Sequence, residues 1–248
     1  FDYHIMVVDG DGEDNDNGAG WGSSVCNEVC PNLACKVGDD CCPWGNLPDE
    51  GKPCCGDPTY PCEDLDLLTA CDWAWGAGTA FPAGQFTADK PCPIDGGRRY
   101  LVKGQTDLAE TFACIANVGI SGYGMLGQAL TAAVQGPING PGGCNDGFLR
   151  EDALLMVTTI ATNPDEDSEG WPTEWAKAVI DAKGGDEESV VMFNIGGTEC
   201  VPGDRICEMA MMFTYHHLLD VEEPDYGPGF AEAVGLVETA CAGFVPPG

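Results

Sequence analysis

Its many cysteines limit the folds and the cellular compartments that suit this chain, because fifteen of its 248 residues are cysteines. Ten of them fall within residues 10–97, a stretch rich in glycine and proline with little hydrophobic periodicity. So many thiols are hard to keep inert in a reducing cytosol, and disulfides formed outside the cell are the simplest interpretation. The candidate disulfide cysteines are Cys26, Cys30, Cys35, Cys41, Cys42, Cys54, Cys55, Cys62, Cys71, Cys92, Cys114, Cys144, Cys200, Cys207 and Cys241.

Spacing alone leaves the pairing of these cysteines open. Cys200 and Cys207 are near enough in sequence to close a local loop. The odd count means that one thiol is free, pairs with another chain, or has its partner outside this sequence. A structural zinc site is the competing interpretation, but the adjacent pairs Cys41–Cys42 and Cys54–Cys55 form no repeated CxxC pattern and have no histidine nearby.

Acidic residues outnumber basic ones by 41 to 10, which gives a formal net charge of −31. A surface of this sign repels phosphate backbones and anionic lipids, which argues against nucleic-acid and membrane-surface roles. No stretch approaches the roughly 20 apolar residues that a membrane span needs. The number of cysteines therefore predicts secretion, to the cell surface or the medium.

Residues 9–18 place carboxylates at alternating positions on a glycine-rich backbone, a pattern that suits Ca²⁺. The spacing is not that of an EF-hand, because the glycine at the sixth position and the closing glutamate are missing. A solvated acidic turn is the alternative. The candidate Ca²⁺ ligands are Asp9, Asp11, Glu13, Asp14 and Asp16.

Strand-like runs alternate with helical patterns outside the cysteine-rich stretch. The run at residues 153–160 is apolar without alternation, which predicts a central strand buried on both faces. The order of elements predicts a three-layer, doubly wound α/β domain with a mostly parallel sheet, formed by residues 1–9 and 98–248, and residues 10–97 form a disulfide-stapled insertion. Strands are predicted at residues 3–9, 99–102, 153–160, 189–195 and 218–221, and helices from Asp107, Met125, Pro172, Arg205 and Phe230.

Several stretches of the α/β part resemble a secreted bacterial type of von Willebrand factor A-like domain. They are residues 111–114, 118–119, 147–155, 165–167, 226–234, 241 and 244–247. The resemblance implies an extracellular, non-enzymatic binding or adhesion module that holds Mg²⁺ through oxygen ligands at the carboxyl edge of its sheet and binds a protein partner there. It also implies that Cys114 has lost its usual partner, because Tyr123 stands at that position, and pairs elsewhere, with the insertion as one candidate region.

The Mg²⁺ loops of that family correspond here to Ser121 and to Asn163 or Asp165. Ile120 and Pro164 depart from the family pattern, so a degenerate site that no longer binds Mg²⁺ is the alternative. The family's first strand, which carries Asp-x-Ser-x-Ser, does not occur in this sequence. The resemblance places it in the middle of the sheet, and its loss is expected to expose two strand edges.

Three origins of that strand stay open: a preceding segment, a cleaved piece that remains bound, or donation by a neighbouring subunit. Donation would make the chain a structural subunit of a self-assembling extracellular fibre or layer, joined by strands or disulfides. The second functional hypothesis is therefore assembly, beside the binding module.

Enzymatic signatures are incomplete in this sequence. Ser121 lies in a glycine-rich turn with His216 and His217 far downstream, but Tyr123 breaks the Gly-x-Ser-x-Gly pattern and no base is paired with the serine. The same turn lacks the lysine of a phosphate cradle. We therefore predict that the chain is not an enzyme, and that the two histidines cap the end of the helix from Arg205.

Four tryptophans of the cysteine-rich stretch form a separate hypothesis. They are Trp21, Trp44, Trp73 and Trp75. Aromatic rings on a crosslinked loop are suited either to stacking on carbohydrate or a protein partner, or to forming the insertion's own small core.

Overall fold

A computed structural model describes residues 2–10, 69–82, 90–118, 124–162, 164–197 and 199–244. The chain divides into two compact units, which we call the first unit (Phe1–Tyr123 and Gly140–Phe148) and the second unit (Gly124–Asn139 and Leu149–Gly248). The boundaries between them fall inside the range 98–248. Most of the predicted insertion lies outside the described residues, so the division at residues 10 and 97 stays a prediction.

Among its described residues, the first unit contains a short antiparallel pair of strands and one α-helix. Strand β1 is paired in register with β2, with His4 opposite Val102 and Ile5 opposite Leu101. The strand predicted over residues 3–9 is therefore shorter than expected, and in the described residues it belongs to a two-stranded antiparallel sheet instead of the parallel one. The elements are β1 (His4–Ile5), β2 (Leu101–Val102), α1 (Leu108–Ala116) and 3-10 turns at Ala70–Trp73 and Asp95–Gly97.

Disulfides crosslink the small core of the first unit. Cys92 pairs with Cys114 beside the buried Leu101 and Ile115, and Cys71 pairs with Cys144. The Cα atoms of the two pairs are 5.7 and 5.5 Å apart, within the normal range for a disulfide. The partner of Cys114 therefore lies in residues 10–97, which was one candidate region for it.

The second unit is an α/β layer structure. Among its described residues three strands run parallel, in the order β3 (Leu155–Ile160), β4 (Val190–Gly196) and β5 (Tyr215–Asp220). Helices cover both faces of this sheet. In the part of the chain that the structure describes, no helix has the length and apolar composition needed to cross a membrane. The elements are α2 (Leu126–Val134), β3 (Leu155–Ile160), α3 (Pro172–Asp181), β4 (Val190–Gly196), α4 (Arg205–Ala210), β5 (Tyr215–Asp220), α5 (Gly227–Gly243) and 3-10 turns at Gly136–Asn139 and Glu187–Ser189.

Alternate residues of β4 build the two halves of the core. On one face Met192 packs with Trp175 and Val179 of α3, and all three are at most 2% exposed. On the other face Phe193 packs with Ala233 of α5. This two-sided burial is what an apolar strand without alternation predicts, so the α/β class with a parallel sheet is confirmed.

The strand order corrects the prediction for residues 153–160. Within the described sheet β4 is central and β3 is an edge strand. Burial differs between the two strands: β4 is buried at every residue but its last, whereas Thr158 and Ile160 of β3 are exposed. The apolar run at residues 153–160 therefore does not have the predicted burial on both faces, and its sequence does not show which neighbours pair beside it.

One prediction for the end of a helix is also wrong. His216 and His217 lie within β5, because α4 ends at Ala210. The aromatic residues around the histidines favour a strand there. Asp107 does precede α1 as predicted, but it has a left-handed φ of 46° and makes no side-chain cap; its carbonyl accepts the Thr111 N–H at 2.9 Å instead.

Candidate functional site

The carboxyl edge of the parallel sheet is the first place to examine for a site. In open α/β sheets, ligands bind in the crevice beyond the carboxyl ends of the strands, because the connecting loops and helix N-termini meet there. Three segments leave the sheet at this edge, after β3, β4 and β5. They are residues 161–171, 197–204 and 221–226.

The segment after β3 is held by a buried carboxylate. Asp165 is 1% exposed and accepts hydrogen bonds from the Gly127 N–H at 2.7 Å, the Ser168 N–H at 2.9 Å and the Ser168 hydroxyl at 2.7 Å. The Ser168 oxygen in turn accepts the Gln128 N–H at 3.0 Å. Together they satisfy N–H groups in the first turn of α2 that have no partner inside the helix, so Asp165 and Ser168 form a cap supplied from a distant loop.

This geometry bears on the predicted Mg²⁺ ligands. Both oxygens of Asp165 already accept hydrogen bonds, and a ligating role would compete with those three contacts. Among the described residues no three side chains of histidine, cysteine, aspartate or glutamate are grouped to hold a metal. Ser121 and Asn163 lie outside the described residues, so the Mg²⁺ site stays a prediction.

The predicted Ca²⁺ run is described only at its start. Asp9 follows β1 in the first unit. The other four candidate ligands, Asp11, Glu13, Asp14 and Asp16, lie outside the described residues, as do Trp21 and Trp44 and the cysteines from Cys26 to Cys62. The Ca²⁺ proposal therefore rests on sequence alone.

Arg205 fastens the same loop from the other side. Its guanidinium donates to the carbonyl of Asp165 at 3.0 Å, to that of Ser168 at 3.1 Å, and to that of Gly170. The plane of the guanidinium also lies against two indole rings, 4.5 Å from the centre of Trp175 and 5.5 Å from that of Trp171. Arginine suits this role because a planar cation with several donors stacks on aromatic faces and bonds carbonyls at once.

The two tryptophans of this cluster differ in exposure. Trp175 is 2% exposed and donates its indole N–H to the carbonyl of Glu169 at 2.8 Å. Trp171 is 68% exposed, although its backbone N–H is fixed by Glu174 at 2.8 Å. A large apolar ring is thus presented to solvent on a rigid support of arginine, helix and capped loop.

A disulfide stiffens the neighbouring segment after β4. Cys200 and Cys207 are bonded, as their spacing suggested, and the Asp204 carboxylate caps α4 by accepting the Cys207 N–H at 3.0 Å. Val201, inside this loop, is 59% exposed. The carboxyl edge therefore presents a second apolar side chain on a crosslinked loop.

Two features of this edge were not predicted from the sequence: the role of Arg205 and the exposure of Trp171. Trp171 and Trp175 are four residues apart, a spacing that suits one face of a helix, yet α3 begins only at Pro172 and leaves Trp171 outside the helix. The proline was the available signal, since it marks the first helical residue. Arg205, one of ten basic residues, follows a capping aspartate at the start of a predicted helix, which also marks a helix N-terminus at the ligand-binding edge.

No family model matches this chain, and no curated protein and no solved structure matches it either. The likeness to von Willebrand factor A-like domains therefore rests on the residues quoted above. The exposed Trp171 on Arg205 and the crosslinked Val201 loop are the features of the carboxyl edge that bear on function.

Proposed function

We propose that this chain is an extracellular, non-enzymatic binding module of von Willebrand factor A-like type, which binds a protein partner at the carboxyl edge of its parallel sheet. The observation that carries the proposal is the 68% exposed Trp171 on its rigid support. Tryptophan is among the residues that contribute most binding energy when an interface buries them.

Rigidity of the support favours binding over a merely solvated ring. Trp171 stacks on Arg205, whose three carbonyl bonds tie it to the loop before the ring. A side chain that is already ordered loses less conformational entropy when a partner covers it. The crosslinked Val201 loop extends the apolar surface available at the same edge.

Charge indicates the chemistry of the partner. With a net charge of −31, the chain attracts a basic protein over long distances and repels an acidic one. We therefore propose a neutral or basic partner, with association that slows as salt is added. Nucleic acid stays outside the proposal for the same electrostatic reason.

Disulfides support the extracellular part of the proposal. The described residues contain three of them, Cys71–Cys144, Cys92–Cys114 and Cys200–Cys207. Bonds of this kind persist in oxidising compartments and are rare in the cytosol. They also hold the binding edge, because one of them closes the Val201 loop.

Divalent cations enter the proposal as structural or bridging ions. Ca²⁺ at residues 9–16 would neutralise neighbouring carboxylates, and Mg²⁺ at the loop of Asn163 would require oxygen ligands other than the occupied Asp165. A module that binds through a metal ion loses its partner when a chelator removes that ion. The Trp171 surface is expected to bind its partner without a metal ion.

The experiment is capture of partners from the medium and surface extract of the source cells, on immobilised protein with its disulfides intact. Trp171→Ala is compared with Met212→Ala, a matched control that removes an exposed apolar side chain between α4 and β5, at the opposite edge of the sheet. We expect a partner retained by the control and weakened by about 2 kcal/mol or more in Trp171→Ala. Each capture is repeated with chelator to test the cation.

A partner that binds Trp171→Ala as tightly as the unaltered chain contradicts the proposal. Sedimentation of the purified chain gives the other decisive result. Self-association that persists after chelation would replace the binding module with the assembly hypothesis.

A further inference from the structure

Within the described residues, the outer edge of β3 has no strand paired with it. The Ala161 N–H bonds to the Ile195 carbonyl of β4 at 3.0 Å, so the odd-numbered residues at this end of the strand turn their backbone groups toward β4. Since backbone groups alternate along a strand, Met156, Thr158 and Ile160 direct theirs away from it. No strand of the described residues pairs on that side. Each of the three residues therefore offers one N–H donor and one carbonyl acceptor.

The residues of β3 themselves carry none of three common protections of an edge strand: a charge, a proline or a bulge. Residues 155–160 (LMVTTI) contain no charge and no proline, and their register with β4 runs without a bulge. Ile160 is 57% exposed, and Thr158 is exposed as well. The opposite edge strand, β5, carries two histidines and Asp220. An apolar, flat and uncharged edge is suited to pairing with another strand.

An apolar surface on α5 continues from this edge. The Phe230 ring packs edge-on against Phe193 at 4.9 Å, and Phe193 is the register partner of Thr158. Phe230 is 39% exposed and Val234, one turn later, is 49% exposed. A strand added beside β3 would have its side chains on this face next to these two residues and Ile160.

The helix is oriented so that these residues point away from β5. Gly229 lies against Leu219 of β5, and Glu232 reaches His217 of the same strand at 3.6 Å. The sequence predicted an apolar side of this helix that includes Phe230 and Val234, and such a side normally faces a core. Here Phe230 and Val234, on the side of α5 that lies toward β3, are partly exposed to solvent.

We infer that the outer edge of β3 binds an extended, apolar strand with basic flanks from a separate protein, by addition to the sheet. Backbone bonds to Met156, Thr158 and Ile160 would give affinity, and apolar side chains against Ile160 and Phe230 would give specificity. The inference goes beyond the Trp171 surface, because it uses a different part of the second unit.

Charge selects a separate basic protein over a second copy of this chain. Acidic residues flank the strand on both sides, and two copies would each bring a net charge of −31 to the same contact. They are Glu151 and Asp152 before β3, and Glu166 and Asp167 after it, all four exposed. Lysine or arginine at the ends of the incoming strand would meet these carboxylates.

The test uses a synthetic peptide of six alternating valine and threonine residues, the length of β3, with two lysines at each end. Amide hydrogen exchange is followed residue by residue on the full chain with its disulfides intact. We expect protection of roughly tenfold or more at Met156, Thr158 and Ile160, with little change at the odd-numbered amides that β4 already protects. The same peptide with glutamates in place of lysines is expected to bind more weakly.

Two variants place a charge on the edge, Ile160→Lys and Thr158→Lys. Both positions are exposed, so one of the two is expected to fold even where the other does not. Each should weaken the peptide roughly tenfold or more, because lysine on an edge strand opposes strand addition. Met212→Lys, an exposed position away from the edge, is the matched control and should bind normally.

The inference is overturned by protection of the β5 amides instead, by unaltered binding to both lysine variants, or by self-association that protects the β3 edge without peptide. Trp171→Ala separates the two proposals. Loss of peptide binding in that variant, with the β3 amides unprotected, would leave the Trp171 surface in place and remove the strand-accepting edge. Normal peptide binding in the same variant supports the edge as an independent site.

Discussion

Replacing Asp165 with alanine tests whether this carboxylate is a structural cap. The substitution removes the acceptor for three donors, the Gly127 N–H, the Ser168 N–H and the Ser168 hydroxyl. Asp165 and Ser168 are 1% and 5% exposed, so these donors have little access to water. An unsatisfied buried donor costs about 1–3 kcal/mol, and the hydroxyl can turn to another acceptor, so we expect a loss of about 3–5 kcal/mol.

Amide exchange in β4 measures this loss for the second unit alone, because the central strand opens only when that unit unfolds. The measurement is made with Mg²⁺ and with chelator. Asp165→Asn keeps an acceptor of the same shape and should lose about 1–2 kcal/mol. Glu166→Ala, the exposed neighbour, is the matched control and should change stability by no more than about 0.5 kcal/mol.

A loss below about 1 kcal/mol for Asp165→Ala would refute the cap as the main role of the residue. So would a loss that appears only when Mg²⁺ is present, since a ligand stabilises by mass action and a cap does not depend on the ion. That second result would favour the metal role that the sequence predicted.

Three further predictions test packing and ionisation. Gly127→Ala would put a Cβ 2.3 Å from the buried indole of Trp175 and should lower the free energy of unfolding by about 1–3 kcal/mol. Gly235→Ala meets nothing within 4 Å and should raise that free energy by about 0.5–1 kcal/mol, and thermal unfolding of each variant checks these opposite signs. The Thr106 backbone N–H, which donates to the Asp95 carboxylate, holds the pKa of that carboxyl below 3.8. The contribution of Asp95 to folding stability is therefore complete above pH 3.8 and is lost as the pH falls through the lowered pKa, so Asp95→Asn should make the free energy of unfolding depend less on pH in acid. Burial lowers the pKa of Lys183 from 10.5, which means that the folded state disfavours the charged amine. Folding stability should therefore rise as the pH increases from the lowered pKa toward 10.5, and Lys183→Met should remove that rise when urea midpoints are compared at neutral pH and near pH 10.5.

Local pattern was enough to predict most elements of the second unit. The continuous apolar runs became β3 and β4, and Pro172 marked the first residue of α3. Short spacing also led to the disulfide between Cys200 and Cys207. These features depend on contacts between residues that are close in sequence, or on burial that the side chains themselves record.

Pairing between distant segments could not be predicted in the same way. The antiparallel partner of β1 lies nearly a hundred residues away in β2, and the central position went to β4 instead of β3. An apolar run is the same in sequence whether its neighbour is one strand or two. Only the assembled sheet distinguishes a central strand from an edge.

Composition and hydrophobic periodicity are enough to predict an acidic, cysteine-rich α/β chain, because both can be read from the residues without knowing which segments meet. The tertiary structure decided what the site residues do. Asp165, predicted as a metal ligand, meets the N–H groups of α2, and Trp171 is exposed on Arg205, which follows a different strand. Hydrogen bonds and ring contacts depend on which loops meet at the carboxyl edge of the sheet, and that meeting is set by long-range packing.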